Sequence, residues 1–199
     1  MAAKRSKAGT HRRSGPQQLR IIGGEWRGRN IAIGDRDALR PTPNRVRETL
    51  FNWLGPGIQQ ARCLDLFAGS GALGIEALSR GAAHCDFIEQ DAATARELRQ
   101  TLDALRAGQR AIVVVNDALA LCAPQIPWDV VFIDPPFAAR LAPDALRLLT
   151  QPGWLAAGAD IYIETATDDP ALDQLPDGFA CRRDKRAGDV RYALVNYQP

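Results

Sequence analysis

The chain has 199 residues, of which 46% are hydrophobic and 24% are charged, and its net charge is +2. A chain of this size and composition can bury one sizeable core, so we expect a single domain with a tail. It has no run of about 18 apolar residues, and no apolar segment follows its basic N-terminus. We therefore expect a cytoplasmic protein with no membrane span and no secretory signal.

Cysteine and histidine are too sparse to suggest a disulfide framework or a metal centre. The two histidines are far apart in sequence, and no two cysteines form a C-x-x-C pair. We therefore predict no metal site, and buried thiols in a reducing compartment. The cysteines are Cys63, Cys85, Cys122 and Cys181.

Charge is distributed unevenly along the chain. Residues 1–47 hold 12 Lys or Arg against 3 Asp or Glu, a balance of +9, and residues 48–199 hold 13 against 20, a balance of −7. A basic segment on a mildly acidic globule is typical of a nucleic-acid-binding protein; the alternative is a solvated tail. Residues 1–18 are predicted to be a disordered basic arm. The arginines predicted to contact nucleic acid are Arg12, Arg13, Arg20, Arg27, Arg29, Arg40 and Arg45.

Residues 19–57 are predicted to form an N-terminal extension. Residues 19–24 and 27–33 have the pattern of two short strands around a Gly-Gly turn, which indicates a small β-hairpin. Arg27 and Arg29 would lie on one face of the second strand, where they could follow a phosphate backbone.

A helix is predicted next, over residues 44–54. Thr42 is a suitable N-cap and Pro43 suits the first turn, while a Gly-Pro-Gly sequence ends the helix after Leu54. An ordinary solvated helix face is the alternative interpretation of its charged side chains, Arg45, Arg47 and Glu48.

In residues 58–199, strand and helix patterns alternate, which is typical of an α/β fold with a mostly parallel sheet covered on both faces. The predicted parallel strands are 61–67, 83–89, 111–116, 129–134 and 159–164. The predicted helices are 72–80, 92–106 and 143–149, with a short turn near 118–122. The chain is predicted to end on an antiparallel hairpin, made of strands 179–184 and 190–197 joined by residues 185–189.

Three glycines follow the first of these strands, at Gly69, Gly71 and Gly74. Glycine lets the backbone turn tightly and approach a ligand, and the helix behind it offers free N–H groups. This spacing, with Glu89 20 residues after Gly69, matches the dinucleotide fingerprint, so an NAD-binding oxidoreductase is one interpretation. Asp65, at the strand end, argues against it because a carboxylate suits a cationic or hydrogen-bond-donating ligand better than a pyrophosphate.

The sequence Asp134-Pro135-Pro136-Phe137 follows the fourth of these strands and indicates chemistry on an exocyclic amine. Such an amine is a poor nucleophile because its lone pair is delocalised into the ring. A carboxylate and a proline-fixed carbonyl could hold both amine hydrogens as the nitrogen becomes tetrahedral, and an aromatic ring could stack on the base. We assign these four residues to catalysis. The carboxylates predicted at the carboxyl ends of strands, where α/β sheets bind ligands, are Asp65, Glu89, Asp117 and Asp134.

Several longer stretches carry a family resemblance. They are RIIGGEWRGR, LRPTPNRVRETLFNWL, CLDLFAGSGALGIEALSRGA, VFIDPPF and KRAGDVRY, and they span nearly the whole chain from Leu19 onward. In these stretches the chain resembles the bacterial RsmD-type 16S rRNA guanine-N2 methyltransferases. The resemblance implies a Rossmann-like class I methyltransferase fold and a seven-stranded sheet. It also implies methylation of guanine 966 in an assembled or assembling small ribosomal subunit. We expect a monomer.

The cofactor implied is S-adenosyl-L-methionine, which needs a cradle for its methionine end and contacts for its ribose and adenine. Glu89 would accept the ribose hydroxyls, and Asp117, with the backbone of Ala118, would receive the adenine amine unless it only caps the following turn. The segment Arg40, Pro41 and Thr42 is implied by the resemblance to lie by the active site. The residues assigned to the methionine end are Asp65, Phe67, Ala68, Gly69 and Gly71.

Other functions share parts of this pattern. DNA adenine-N6 methyltransferases have an Asp-Pro-Pro-aromatic motif, and protein glutamine methyltransferases have a related one. DNA enzymes usually carry an added recognition domain, for which 199 residues leave no room. A non-catalytic RNA-binding module remains as a further alternative.

Overall fold

The computed structural model describes residues 18–32 and 43–199. In these ranges it contains a two-stranded antiparallel pair and a seven-stranded sheet with the order β5-β4-β3-β6-β7-β9-β8. Strand β9 runs antiparallel to both its neighbours, and the other pairings in the sheet are parallel. The predicted fold class is therefore confirmed. The strands are β1 (Gln18–Arg20), β2 (Asn30–Ala32), β3 (Arg62–Asp65), β4 (His84–Glu89), β5 (Ala111–Val115), β6 (Trp128–Ile133), β7 (Leu155–Ala166), β8 (Phe179–Ala187) and β9 (Val190–Tyr197).

Helices cover both faces of this sheet, and each face has its own hydrophobic core. Neighbouring residues of β6 point to opposite faces: Phe132 packs in the core that contains Phe51 and Leu78, and Val131 packs in the core that contains Leu146. A parallel sheet buried in this way consists of nearly continuous apolar strands. The helices are α1 (Asn44–Leu54), α2 (Ala72–Ser79), α3 (Ala92–Leu105) and α4 (Ala142–Leu149). Within the described ranges, no helix combines the length and the apolar character needed to cross a membrane.

The N-terminal hairpin differs from its prediction. Strands β1 and β2 have three residues each, and the chain between them turns at Gly24 and Gly28, whose φ angles of 76° and 85° are left-handed. Arg27 and Arg29 therefore lie outside any strand, and the prediction that they share one strand face is wrong. The Arg29 guanidinium instead donates to the carbonyl of Ala104 at 2.7 Å.

A buried carboxylate on α2 binds the turn between β1 and β2. Both oxygens of Glu76 accept backbone hydrogen bonds, from Ile22 at 2.9 Å and from Gly23 at 2.8 Å. Helix α2 also approaches Gly24 so closely that a Cβ there would lie 1.7 Å from the Ser79 carbonyl oxygen. These contacts fix the N-terminal strand pair against α2, the helix that begins directly after Gly71.

Glu76 also pairs with Arg47, a charged residue of α1 that is buried. The Arg47 side chain is 0% exposed; its guanidinium lies 3.5 Å from Glu76 and donates to the carbonyl of Arg20 at 2.7 Å. The interpretation of Arg47 as part of a solvated face of α1 is therefore wrong. Pro43 precedes the helix, which begins at Asn44, and it does not occupy the first helical position.

The C-terminal hairpin is longer than predicted. Strand β8 continues to Ala187, so residues 185–189 do not form the connection, and the turn consists of Gly188 and Asp189 alone. Gly188 has a φ of 63°, which a two-residue hairpin turn requires of its first residue. Strand β7 also begins four residues before its predicted start, because the chain continues through Gly158.

Candidate active site

The glycine loop, residues 67–71, leaves β3 between two neighbouring strands. Backbone hydrogen bonds join Leu66 to the Phe132 carbonyl on the β6 side at 3.0 Å and Ala68 to the Ile88 carbonyl on the β4 side at 2.9 Å. The loop then closes on itself through a 2.6 Å bond from Gly71 to the carbonyl of Ala68. It therefore lies at the centre of the carboxyl edge of the sheet.

The three glycines serve different purposes. Gly69 (φ 49°) faces open space, and a Cβ there would meet no atom within 4 Å. A Cβ on Gly74 would lie 2.3 Å from the ring of Phe87, and one on Gly71 would lie 2.4 Å from Leu98. Gly71 and Gly74 thus permit close packing of α2, and Gly69 leaves the left-handed turn open on its outer side.

Asp65 is buried directly behind the glycine loop. Its side chain accepts a 2.9 Å hydrogen bond from the N–H of Gly74. Burial raises the pKa of Asp65 to about 7; the bond from Gly74 opposes this rise, and the charges of Asp134 and Glu89 add to it. Glu89 at the end of β4 and Asp134 directly after β6 therefore lie close enough to Asp65 to act on its ionisation.

Glu89 is held against the glycine loop by two backbone groups. One oxygen accepts from the N–H of Gly69 at 2.9 Å, and the other accepts from the N–H of Asp91 at 2.7 Å. An ionised carboxylate has about four acceptor positions. Glu89 thus fixes the loop and keeps acceptor capacity for a ligand.

Asp117 acts as a cap in this structure. Its side chain accepts from the N–H of Leu119 at 2.9 Å, at the start of the 3-10 turn Ala118–Ala120. Capping of the following turn is the alternative role that the sequence left open for Asp117. Its contact with an adenine, and that of the Ala118 backbone, stay predictions.

The Asp134-Pro135-Pro136-Phe137 segment follows β6 at the same edge. Asp134 is half-buried and Pro135 is buried, whereas the Phe137 side chain is 38% exposed. A 2.9 Å bond from Ala139 to the Pro136 carbonyl closes the 3-10 turn that carries Phe137. An aromatic ring is therefore presented to solvent beside a partly buried carboxylate.

Sequence reasoning missed a buried pair next to Asp134. The Tyr162 hydroxyl donates to Glu164 at 2.7 Å, and both side chains are buried. Ile133 pairs with Ile163 across β6 and β7, so Asp134 and Glu164 follow at neighbouring positions. Burial raises the pKa of Tyr162 well above its usual value, and the charges of Glu164 and Asp134 contribute. A Glu inside the apolar stretch IYIET was the available signal.

Four of the seven arginines predicted to contact nucleic acid lie in the described residues. Arg20, Arg27 and Arg45 are exposed, and Arg29 makes the internal bond given above. The predicted site residues that lie outside the described residues are Arg12, Arg13, Arg40 and Thr42.

In residues 18–32 and 43–199, no group of three His, Cys, Asp or Glu side chains is arranged to hold a metal ion.

Comparison with known proteins identifies the family. The family model described as "Conserved hypothetical protein 95" matches residues 19–196. The chain belongs to this family. A relative from Escherichia coli K12, named "Ribosomal RNA small subunit methyltransferase D", is 48% identical over 181 residues, which cover 91% of each chain. The resemblance to the RsmD-type family is thereby confirmed.

Solved structures of other proteins share this fold. The structure of yhhF from Escherichia coli superposes with a TM-score of 0.84 at 46% identity, covering 92% of this chain and 99% of that one. An RNA methyltransferase from Salinibacter ruber, solved in complex with S-adenosyl-L-homocysteine, matches with a TM-score of 0.58 at 15% identity. That match covers 80% of this chain and 94% of the other, and it shows the fold alone.

Proposed function

We propose that the chain transfers a methyl group from S-adenosyl-L-methionine to the exocyclic N2 amine of a guanine in 16S rRNA, with guanine 966 as the target. The observation that carries this proposal is the placement of Asp134, with Phe137 exposed beside it, at the same sheet edge as Asp65 and Glu89. The relative named as a small-subunit rRNA methyltransferase supports the choice of substrate.

The residues around the glycine loop fit the cofactor. S-adenosyl-L-methionine supplies an electrophilic methyl group on a sulfonium and carries an ammonium. The open outer side of Gly69 would admit the cofactor, with Phe67, Ala68 and Gly71 completing the loop. Asp65 would face its methionine end, and a cation there would favour the ionised carboxylate.

The two ends of the nucleoside would be held by acids from neighbouring strands. Glu89, which retains acceptor positions beside its two backbone bonds, would accept the ribose hydroxyls. Asp117 and the backbone of Ala118 would contact the adenine. Thr42 is proposed near the cofactor on the strength of the family resemblance alone.

The target base would be held for attack by the Asp134-Pro135-Pro136-Phe137 segment. Asp134 and the Pro135 carbonyl would accept the two amine hydrogens and direct the nitrogen lone pair toward the methyl group. The proton that the amine loses on methylation would pass through Asp134 to solvent. Phe137 would stack on the base once it has left its own stack. Catalysis would come from position and from hydrogen bonds that strengthen in the transition state.

The remaining regions would serve the RNA. We propose that residues 1–18 form a basic arm, that residues 19–57 form an extension on the substrate side, and that residues 58–199 form the methyltransferase domain. The enzyme would act as a monomer in the cytoplasm, where its small-subunit substrate is found. The exposed arginines Arg20, Arg27 and Arg45 would approach phosphates, together with Arg12, Arg13 and Arg40.

A deletion strain tests the proposed function in the cell. Mass spectrometry of 16S rRNA fragments should show that guanine 966 loses one methyl group when the gene is deleted. The wild-type gene should restore it, and a gene carrying Asp134→Ala should not. Full methylation in the deletion strain, or loss at a different base, would contradict the proposal.

A further inference from the structure

We infer that one edge of the sheet binds phosphates of the rRNA that flank the target base, an inference that rests on the proposed function. The surface consists of Arg183 and Lys185 on β8, and we call it the β8 basic surface. Strand β8 is paired on one side only, with β9, and every residue from Ala180 to Ala187 is exposed. The basic residues of the whole strand β8 are Arg182, Arg183, Lys185 and Arg186.

The charges of this surface are not neutralised by neighbouring acids. The neighbouring Arg182 forms an ion pair with Asp160 at 2.8 Å. The single acid of β8, Asp184, forms an ion pair with Arg191 on β9 at 2.7 Å. In the part of the chain that the structure describes, no carboxylate lies within 4.0 Å of the charged groups of Arg183 or Lys185. The Arg183 guanidinium donates to the carbonyl of Arg182 at 2.8 Å, which uses one of its donors and leaves its charge unpaired. The charges of both side chains therefore remain available to an anionic partner.

An aromatic ring lies beside one of the two cations. The Lys185 ammonium lies 5.7 Å from the ring centroid of Trp53 on α1. Trp53 in turn stacks on Tyr192 of β9, with centroids 5.4 Å apart and ring planes 25° from parallel. Cations placed beside aromatic rings are a common feature of surfaces that bind single-stranded nucleic acid.

Strand register places this surface near the catalytic segment. Lys185 pairs with Tyr192 and Tyr192 pairs with Glu164, which stands beside Asp134 at the next strand. Directly paired residues point to the same face of a sheet, and neighbouring strands lie about 4.8 Å apart. Lys185 is thus three strands, or roughly 14 Å, from Asp134. A strand of RNA covers this distance within a few nucleotides.

The second cation continues the same row. Arg183 pairs with Leu194, two positions along β9 from Tyr192, so it lies on the same face as Lys185. Charged side chains on an edge strand also prevent pairing with other chains. Edge protection requires only charge at this edge, whereas phosphate binding predicts a specific dependence of RNA affinity on salt.

The test compares Lys185→Gln, and the double variant Arg183→Gln/Lys185→Gln, with the control Arg147→Gln. Arg147 lies on α4, over the opposite face of the sheet, where it is exposed and paired only with Asp144 in the described ranges. The probe is the small ribosomal subunit from a strain that lacks the gene. Its affinity is measured over a range of salt concentrations, beside methyl transfer, cofactor affinity, Tm and oligomeric state.

Each lost phosphate contact should reduce the slope of log affinity against log salt by about 0.7–0.9, or about 1.4–1.8 for the double variant. The KM for the subunit should rise roughly tenfold in the double variant, as expected from the lost counterion release. Cofactor affinity and Tm should not change, and Arg147→Gln should match the wild type.

Two results would overturn this inference while the proposed function stands. One is a double variant with the wild-type slope and KM; the other is a double variant that self-associates with an unchanged slope, which would assign the charges to edge protection. A wild-type chain that binds subunits but transfers no methyl group would instead overturn the proposed function, and this inference with it.

Discussion

Glu89 holds the first glycine of the glycine loop in place: its carboxylate accepts the backbone N–H of Gly69 at 2.9 Å. The acid at the end of β4 therefore determines the loop conformation as well as offering acceptors to a ligand. A substitution at Glu89 should remove the partner of the Gly69 N–H and, under the proposed function, the acceptor for the cofactor ribose as well.

Replacement of Glu89 by Ala should weaken S-adenosyl-L-methionine binding by about 1.5–3 kcal/mol, the usual contribution of hydrogen bonds to a charged group. Calorimetry without RNA measures this directly. The matched control is Glu97→Ala, which removes an exposed acid from α3 and should bind like the wild type. Equal affinities for all three proteins would remove Glu89 from the cofactor site.

Stability should depend on pH through Asp65. The folded pKa, about 7, lies above the ordinary value of 3.8, so the folded state binds the proton more tightly than the unfolded state does. The resulting stabilisation is complete below pH 3.8 and is lost as pH rises to about 7.

The variant Asp65→Asn lacks this titration, so it separates Asp65 from the other acids. Between pH 5 and pH 7, the free energy of unfolding of the wild type should fall relative to that of the variant by roughly 2–3 kcal/mol, and it should change little above pH 7. Denaturant unfolding at several pH values measures this difference. A constant difference across the range would show that the Asp65 pKa is not raised.

Gly74→Ala should destabilise the fold. The new Cβ would lie 2.3 Å from the ring of Phe87, and overpacking of this kind costs typically 1–3 kcal/mol. The control is Gly57→Ala, because a Cβ at Gly57 meets no atom within 4 Å and the backbone there is not left-handed. Its free energy of unfolding should change by less than about 0.5 kcal/mol. Similar losses in the two variants would argue against the close approach of α2 to β4.

Asp134→Asn tests how the target base is recognised. Guanine presents two adjacent donors, N1–H and an N2 hydrogen, and a carboxylate accepts from both. An amide would place an NH₂ group against N1–H or forfeit one contact, so the single-turnover rate should fall roughly 10- to 150-fold, equivalent to about 1.5–3 kcal/mol.

Asp134→Ala should lower the rate further, and neither variant should change cofactor affinity. Rates close to wild type for Asp134→Asn would rule out recognition through two donors, even if methylation of guanine itself is established.

The main sheet was predictable because each buried strand has its own local pattern. Apolar runs bounded by polar residues placed β6 within one residue of its observed limits, Trp128 and Ile133. The same pattern located Asp65 and Asp134, since each carboxylate stands at the end of such a run. Glu164 was missed although it ends the predicted strand 159–164. A single Glu after an apolar run does not by itself indicate that its side chain is buried.

Contacts between distant segments could not be predicted in this way. Glu76 binds Ile22, which is 54 residues away in sequence, and no local pattern indicates that a Glu in α2 will be buried. Arg47 follows a buried valine on α1, and its buried charge is compensated by Glu76 together with hydrogen bonds to the Arg20 carbonyl and the Asn44 amide oxygen. The turn at Gly28 was predicted as part of the second strand because its left-handed backbone is not visible in a hydrophobicity pattern.

The central claim is tested most directly by methyl transfer in solution. The purified chain is incubated with S-adenosyl-L-methionine that carries a labelled methyl group and with small ribosomal subunits from a strain that lacks the gene, and the rRNA is digested to nucleosides. We predict that the label appears in N2-methylguanosine, up to one methyl group per subunit, and that Asp134→Ala leaves the RNA unlabelled. Label in a different nucleoside, or RNA that stays unlabelled with the wild-type chain, would contradict the account.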